Sequence, residues 1–264
     1  MVLAACSHKI WVSAFELSAK VSRLKVAGGH LLLCVVIALF LFAFFWFQLY
    51  PAPLFQASGA LKVFLVLLAI DVVLGPLMTL IVWKRDWKQL RKDLAVIALL
   101  QIAALGYGVY TLWIARPVYV AALGPRFDVV HATDIDASEI KTSGKPLPLF
   151  GPKWVGIKQA TDPKERERVM FASLGGVDYG HFPQHHQPIE NMREELLKNA
   201  RPIAELKKFN PGADAQIDRW VARNGATPDS VVFQGLKART QDMAVIMDAK
   251  TAKVIGIAPF KPWP

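Results

Sequence analysis

Cysteine is scarce in this chain, and more than half of the chain has none. The two cysteines, Cys6 and Cys34, both precede residue 117. Residues 117–264 therefore form no disulfide and no thiolate metal site, even in a compartment that permits disulfides. The run from Leu3 to Cys6 resembles a lipoprotein cleavage box, but no apolar segment precedes it. We therefore expect no lipidation.

Sequence motifs of catalysis are also missing. The chain has no phosphate-binding Walker loop, no dinucleotide-binding glycine pattern and no HExxH zinc motif. Ser173 and Ser230 lack the glycine context of a nucleophile elbow. The sequence therefore predicts a protein that is not an enzyme and carries no cofactor.

One group of histidines requires separate consideration. His181, His185 and His186 lie close together, at a spacing that could suit a metal ion. However, Pro183 and Pro188 interrupt regular structure there, and no cysteine or defined carboxylate set accompanies the imidazoles. We predict a polar loop without a metal.

The positive charge is concentrated in the first part of the chain. The net charge is +10 in total. Residues 1–116 hold eleven Lys and Arg against four Asp and Glu, whereas residues 117–264 hold twenty against seventeen. Since nucleic-acid binding depends on a strongly basic surface, we expect no nucleic-acid partner.

Long apolar segments fill the first 115 residues. They cover about residues 30–50, 61–83 and 94–115, each close to the roughly 20 residues that cross a bilayer. The predicted domains are a basic N-terminal segment at 1–29, a three-helix transmembrane domain at 30–115 and a globular domain at 116–264.

Charges in the short loops predict the orientation in the membrane. Residues 1–29 hold four Lys and Arg against one Glu, and residues 84–92 hold five against one Asp. Residues 51–60 hold no charge. Because basic loops stay in the cytoplasm, the N-terminus is predicted to be cytoplasmic and the C-terminal domain periplasmic in a bacterium. Arg116 is predicted to anchor the third helix at the interface by snorkelling.

An acidic residue, Asp71, lies near the middle of the second apolar segment. Insertion scales put the cost of a central carboxylate at about 2.5–3.5 kcal/mol, so such a residue usually has a role. Gly75 lies one helical turn away, where a small side chain lets another helix approach. Pro76 removes a backbone donor, so a kink is expected there.

The third apolar segment offers a matching surface for Asp71. Gln101, Ala104 and Gly108 recur at intervals of three and four, which gives a small and partly polar stripe. Gln101 is the predicted partner of Asp71. Two roles for Asp71 stay open: a hydrogen-bonded device that fixes helix register, or a site for a polar group on a partner's transmembrane helix. Proton translocation is disfavoured because the apolar segments contain no second acidic residue.

The C-terminal part reads as strands, then helices, then strands. Two hairpins are predicted, one around Gly124 and one around residues 248–251. Helices are predicted after a cap at Thr161 or Asp162, at 188–200 with a continuation to 209, and at 213–224, while 141–156 is predicted to be loop. The predicted fold class is three transmembrane helices plus an extracytoplasmic α+β domain, with a mainly antiparallel sheet and helices on one face.

Three segments carry a family resemblance. They are residues 50–59 (YPAPLFQASG), residues 70–80 (IDVVLGPLMTL) and residues 93–119, which include Gln101 and Arg116-Pro-Val-Tyr. Together they resemble the TfpX/TfpZ family of type IV pilin accessory proteins, over roughly residues 20–135. The tail before Val21 is longer than this family leads us to expect.

The resemblance implies a bacterial inner-membrane protein that assists type IV pilin assembly or modulates pilus dynamics and twitching. The implied partners are the major pilin and the pilus assembly machinery, together with the lipid bilayer. The alternative is a membrane-anchored periplasmic sensor or ligand-binding protein, which predicts a small-molecule pocket in residues 117–264.

Overall fold

The computed structural model describes the backbone of residues 2–82 and 87–264 and the side chains of residues 23–82 and 89–264. The basic side chains before Arg23 and at residues 84–88, on which the predicted orientation partly depends, lie outside the described residues. The chain divides into two units. We call them the helical unit, Met1–Ala43 with Lys62–Thr111, and the sheet unit, Phe44–Leu61 with Leu112–Pro264.

Helices dominate the first 114 residues. Their bounds are α1 Val2–Phe44, α2 Leu54–Ala57, α3 Ala60–Leu68, α4 Gly75–Ile81 and α5 Trp87–Ile114. Helix α1 starts at Val2 and so extends the first apolar segment towards the N-terminus; residues 2–29 contain no proline that would interrupt it.

Three stretches of these helices are long and apolar enough to cross a membrane by length and composition. They are Arg23–Leu49, Ala60–Ile81 and Gln89–Ile114, found among the residues that the structure describes. At 1.5 Å per residue, each exceeds the roughly 30 Å of a hydrocarbon core. The helical part of the predicted fold class is confirmed.

A π-helical turn, Ala69–Leu74, joins α3 to α4. The proline that follows it explains the wide turn, because Pro76 has no N–H and leaves the carbonyl of Val72 without its usual donor. Asp71 lies inside this turn. Where a kink was predicted at Pro76, the structure has a widened helical turn just before the proline.

The sheet unit is built on one curled sheet. Its strands are β1 Pro117–Ala122, β2 Phe127–His131, β3 Lys153–Ile157, β4 His186–Gln187, β5 Arg201–Pro202, β6 Val231–Lys237, β7 Met243–Asp248 and β8 Val254–Ala258. The order is β4-β3-β1-β2-β6-β7-β8, with β5 also paired to β6. Only the pairs β1–β3 and β2–β6 are parallel among the described strands. The predicted mainly antiparallel sheet is confirmed.

Both predicted hairpins are present. The β1–β2 turn closes where Leu123 N donates to Arg126 O at 2.9 Å, with Gly124 at φ +98°. A non-glycine side chain would strain that backbone. In the β7–β8 turn, Asp248 Oδ1 accepts from the backbone N–H of Lys250 and of Thr251, at 3.0 and 2.7 Å. Local turn chemistry thus sets both hairpins.

Helices pack on both faces of the sheet, which corrects the prediction of one face. They are α6 Ala137–Ser143, α7 Pro163–Leu174, α8 Arg193–Asn199, α9 Ile203–Phe209 and α10 Asp214–Arg223. Strand β7 alternates between two cores: Val245 packs in the core that contains α8, and Ile246 packs in the core of α9 and α10. A strand that is buried on both faces reads as a nearly continuous apolar run. Its sequence therefore lacks the alternation that would show helices on one face only.

Two local predictions are wrong. Residues 141–156 are not all loop, because α6 ends and β3 begins there; β3 is stabilised by parallel pairing with β1, which is distant in sequence. The predicted helix at 188–209 is interrupted: a 3₁₀ turn at Ile189–Met192 precedes α8, and Arg201–Pro202 pairs with β6 before α9. Asp162 caps α7, since its side chain accepts from Lys164 N at 3.3 Å.

Candidate functional site

Asp71 is buried within the helical unit. Its residue is 9% exposed, and neither carboxylate oxygen has a hydrogen-bond partner among the described residues. A buried carboxylate without a donor is costly, because nothing replaces the water that it has lost. The carboxylate therefore either carries a proton or receives a donor from outside the chain.

Gln101 lies beside Asp71, as predicted, but the contact is to the backbone. Its Nε2 donates to the carbonyl oxygen of Asp71 at 3.2 Å and approaches Cys34 Sγ at 4.0 Å. The Gln101 Oε1 atom has no partner among the described residues. When the carboxyl group is ionised, the site thus presents three hydrogen-bond acceptors, two from the carboxylate and one from the amide, without matching donors among the described residues.

Asp71 and Gln101 line a cleft of about 230 Å³ within the helical unit. Its walls come from α1, α3, the π-turn and α5 and are almost entirely apolar, with Leu33, Ile37, Phe64, Leu67 and Leu105 among them. Asp71, Gln101, Cys34 and His30 supply the polar part of its lining. An apolar cleft with a few convergent polar groups is the usual form of a binding site.

The sequence-based prediction did not include the polar residues near this cleft that belong to α1 and α4, namely His30, Cys34 and Thr79. His30 Nδ1 lies 2.7 Å from Thr79 Oγ1, and Thr79 Oγ1 donates to Gly75 O at 3.0 Å. The signal was spacing: Thr79 follows Gly75 by four residues, and Cys34 follows His30 by four. Such spacing places polar residues on one face of each helix.

The two predicted glycines lie where helices approach closely. A Cβ added to Gly75 would overlap the Gln101 side chain, and one added to Gly108 would overlap Leu67. By contrast, a Cβ on Gly106 would meet nothing within 4 Å. Gly75 and Gly108 therefore permit the packing of α4 and α3 on α5, as small residues do between transmembrane helices.

The remaining predicted residues of the intramembrane site have supporting positions. Pro76 is buried at the start of α4, directly after the π-turn. Ala104 is half-buried on the same face of α5 as Gln101 and Gly108. Neither contributes a polar group to the cleft.

Arg116 belongs to the sheet unit and is held by protein rather than extended towards lipid. Its residue is 7% exposed, and Nε and Nη2 donate to Pro148 O at 3.2 and 3.0 Å. Nη1 donates to Trp113 O, and the guanidinium lies 4.7 Å from the Trp113 ring. Burial lowers the pKa of Arg116, an effect that nearby Tyr50 opposes. The predicted snorkelling is thus replaced by a set of contacts that fixes the start of β1.

The segment of residues 50–59 is part of the sheet unit's core. Leu54 and Ala57 pack in the core cluster that contains Val120 and Phe127. Thr240 N donates to Ala57 O at 2.9 Å. From the sequence, this segment is an uncharged loop between two apolar segments. The core residues on which it packs are more than 60 residues away along the chain, and no local pattern indicates them.

The histidines at 181–186 each have a protein partner. His181 Nδ1 lies 3.2 Å from Asp178 O, His185 Nε2 lies 2.9 Å from Glu165 Oε1, and His186 Nε2 lies 2.9 Å from Gly180 O. Among the described residues, no three His, Cys, Asp or Glu side chains are placed to hold a metal ion. These side chains join α7 and the 3₁₀ turns Tyr179–His181 and Pro183–His185 to β4 at the edge of the sheet.

Stability should depend on the protonation of His186. Burial lowers the pKa of His186 from 6.5 to about 4, although Gly180 O favours the charged form. The folded protein favours the neutral ring. The contribution of His186 to the free energy of unfolding is therefore complete above about pH 6.5 and falls as the pH drops towards 4. The loss should reach about 3 kcal/mol.

The measurement is thermal unfolding of the full-length protein in mild detergent at several pH values between 7 and 4. A His186→Gln variant should show a smaller loss over the same range, since glutamine does not titrate. Equal losses in both proteins would show that other groups govern the pH dependence.

Three helices that are long and apolar enough to cross a membrane, with a buried carboxylate in the cleft between them and an α+β domain after them, indicate a membrane-associated protein with a folded C-terminal domain. The chain is similar to the fimbrial assembly protein of serogroup I of Dichelobacter nodosus, 29% identical over 232 residues, which are 85% of this chain and 90% of that protein. It is 27% identical to the serogroup E1 protein over the same shares of both chains.

A third relative shares a shorter segment. The fimbrial assembly protein of serogroups C1 and C2 is 36% identical over 99 residues, which are 36% of this chain and 75% of that protein. No protein-family model matches the chain, and no solved structure matches it. The chain belongs to the family of these fimbrial assembly proteins.

Proposed function

We propose that this protein is an inner-membrane accessory protein of type IV fimbriae, of the TfpX/TfpZ kind, that binds pilin without catalysing a reaction. The observation that carries the proposal is the carboxylate of Asp71, which has no partner in the described part of the chain and lies in an apolar cleft between membrane-length helices. Relatives over most of the chain are named fimbrial assembly proteins, which supports a role in assembling or regulating the fimbria.

The cleft suits one face of a partner's transmembrane helix. Its apolar walls match lipid-facing side chains, and its acceptors favour a helix that presents an N–H or O–H donor at the depth of Asp71. Hydrogen bonds between transmembrane helices contribute about 0.6–2 kcal/mol each. This energy is modest, and it is gained only when the donor of the partner helix is at the right depth and direction. The polar contact therefore chiefly selects the register of the partner helix along the cleft.

The C-terminal domain supplies a second contact in this proposal. Pilin would be held by its transmembrane helix in the cleft and by its head outside the membrane. Two weak contacts on one anchored partner act together, because the first raises the effective concentration for the second. The basic residues within 1–29 and 84–92 support a cytoplasmic N-terminus and a periplasmic C-terminal domain.

Photo-crosslinking in cells tests the proposal. Ile37 lines the cleft, whereas Leu39 is 64% exposed and lies on another face of the same helix. A photoreactive residue at 37 is expected to capture the fimbrial subunit, and one at 39 is expected to capture several times less. The change Asp71→Leu should reduce capture from position 37 by about tenfold, because it removes the polar contact.

The control is the abundance of each variant in the membrane fraction, which must match the parent protein. Equal capture from positions 37 and 39, or no capture of the subunit while other fimbrial components are trapped, would contradict the proposal.

A further inference from the structure

The sheet ends at β8, which has a neighbour on one side only. Within the described residues, β8 pairs with β7 alone. Alternate residues of an edge strand turn their N–H and C=O groups away from the sheet, and proteins usually protect such edges with charge, proline or bulges. Strand β8 reads VIGIA, with no charge and no proline, and has one bulge opposite Ile246 and Met247. This edge is therefore suited to accept another strand.

A cleft of about 760 Å³ runs along β8 in the sheet unit. Its other wall includes Trp154 of β3. Among the described strands, β3 pairs with β4 at Gly156 and Ile157, and the half of β3 that contains Trp154 has no paired strand on that side. The cleft is therefore lined by the first half of β8, by Trp154 of β3, and by residues of α8 and the 3₁₀ turn before it.

The lining of this cleft defines the chemistry of its occupant. Trp154, Ile189 and Val254 are partly buried against the main core and form an apolar floor. The charged residues of the lining are Arg193 and Lys253, both basic, and Glu190. Arg193 Nη2 donates to Lys250 O at 2.8 Å, which holds this charge beside the β7–β8 turn. An extended segment with apolar residues at alternate positions and an acidic side chain near the turn is complementary to this surface.

We infer that β8 and this cleft bind an extended segment of the exported part of the fimbrial subunit, which adds a strand to the sheet. Backbone hydrogen bonds to β8 hold the segment in this binding mode, and the apolar floor and the two basic residues select its sequence. The identity of the partner rests on the proposed function. The binding mode rests on the strand edges and the cleft alone.

Synthetic peptides test this inference. Overlapping peptides of about 12 residues, twice a typical strand length, would tile the exported part of the fimbrial subunit from the same bacterium. They would be titrated onto the full-length protein in mild detergent. At least one peptide is expected to bind and to slow hydrogen exchange of β8 amides. Methylation of single backbone nitrogens in that peptide should weaken binding by about tenfold at every second position, because only alternate N–H groups face the edge strand.

Two lysines of the β7–β8 turn provide a matched pair of variants, because Lys253 lines the cleft and Lys250 does not. Lys253→Glu should weaken binding of an acidic peptide by about fivefold, whereas Lys250→Glu, on the same turn but outside the cleft lining, should have a much smaller effect. No binding by any peptide would overturn the inference. Binding without the alternating pattern would also overturn it, and would favour a ligand pocket of the kind that a sensor requires. Neither outcome affects the crosslink from Ile37, which tests the intramembrane contact separately.

Discussion

Gly108→Leu is expected to reduce surface fimbriae by about tenfold or more in a strain that depends on the variant. A Cβ at residue 108 already overlaps the Leu67 side chain, so a leucine there is expected to displace Leu67, which lines the cleft, and to disturb the packing of α3 on α5. Overpacking of this kind costs about 1–3 kcal/mol, and 1.4 kcal/mol is a factor of ten in an equilibrium. Leucine favours membrane insertion, so the loss should arise from helix packing rather than from failed insertion.

The matched control is Gly106→Leu, because Gly106 has nothing within 4 Å of its Cβ position. Surface fimbriae would be sheared from cells and quantified, with the membrane abundance and thermal stability of each variant measured in parallel. Gly108→Leu should lower the melting temperature of the purified protein, and Gly106→Leu should leave it nearly unchanged. A Gly108→Leu protein with normal stability and normal fimbriation would show that this contact is dispensable.

Leu54→Ala is expected to destabilise the sheet unit by about 2–5 kcal/mol, the usual cost of a large-to-small change in a well-packed core. Leu54 is almost fully buried against the core of the sheet, although it belongs to the short segment between two membrane-length helices. The loss should appear as faster hydrogen exchange in β6 and β7 of the full-length protein, since both strands contribute to the same core.

The control for this prediction lies two residues away. The side chain of Gln56 is exposed, so Gln56→Ala should change stability by no more than about 0.5 kcal/mol. If Leu54→Ala left exchange in β6 and β7 unchanged, residues 50–59 would be a separable loop and not part of the domain.

Much of the intramembrane site could be predicted from the sequence. Asp71, Gly75, Gln101 and Gly108 were identified by their spacing and their unusual chemistry within apolar segments, because helical periodicity decides which residues share a face. The contact between Gln101 and the Asp71 backbone could not be predicted in detail. Asp71 lies in the π-turn before Pro76, and the acceptor of the Gln101 amide is its carbonyl oxygen rather than its carboxylate.

The polar residues that α1 places near the cleft show a second limit of prediction from the sequence. His30 and Cys34 looked like isolated residues at the edge of an apolar segment, and only the packing of α1 against the other helices gave them partners. An apolar helix face without small or polar residues does not show whether it meets another helix or lipid, because both are equally apolar surroundings. Arg116 is similar: its position was evident, whereas its carbonyl partner at Pro148 was not.

The amino-acid sequence by itself determined the three membrane-length helices, the two hairpins and the α+β class, because hydrophobic periodicity, segment length and turn residues are local properties. Only the tertiary structure decided that residues 50–59 complete the core of the sheet unit, that β3 pairs with β1, and that β8 is left as an open edge. These features depend on contacts between residues far apart in the chain. Such contacts are selected by the fit of whole surfaces, which no local pattern records.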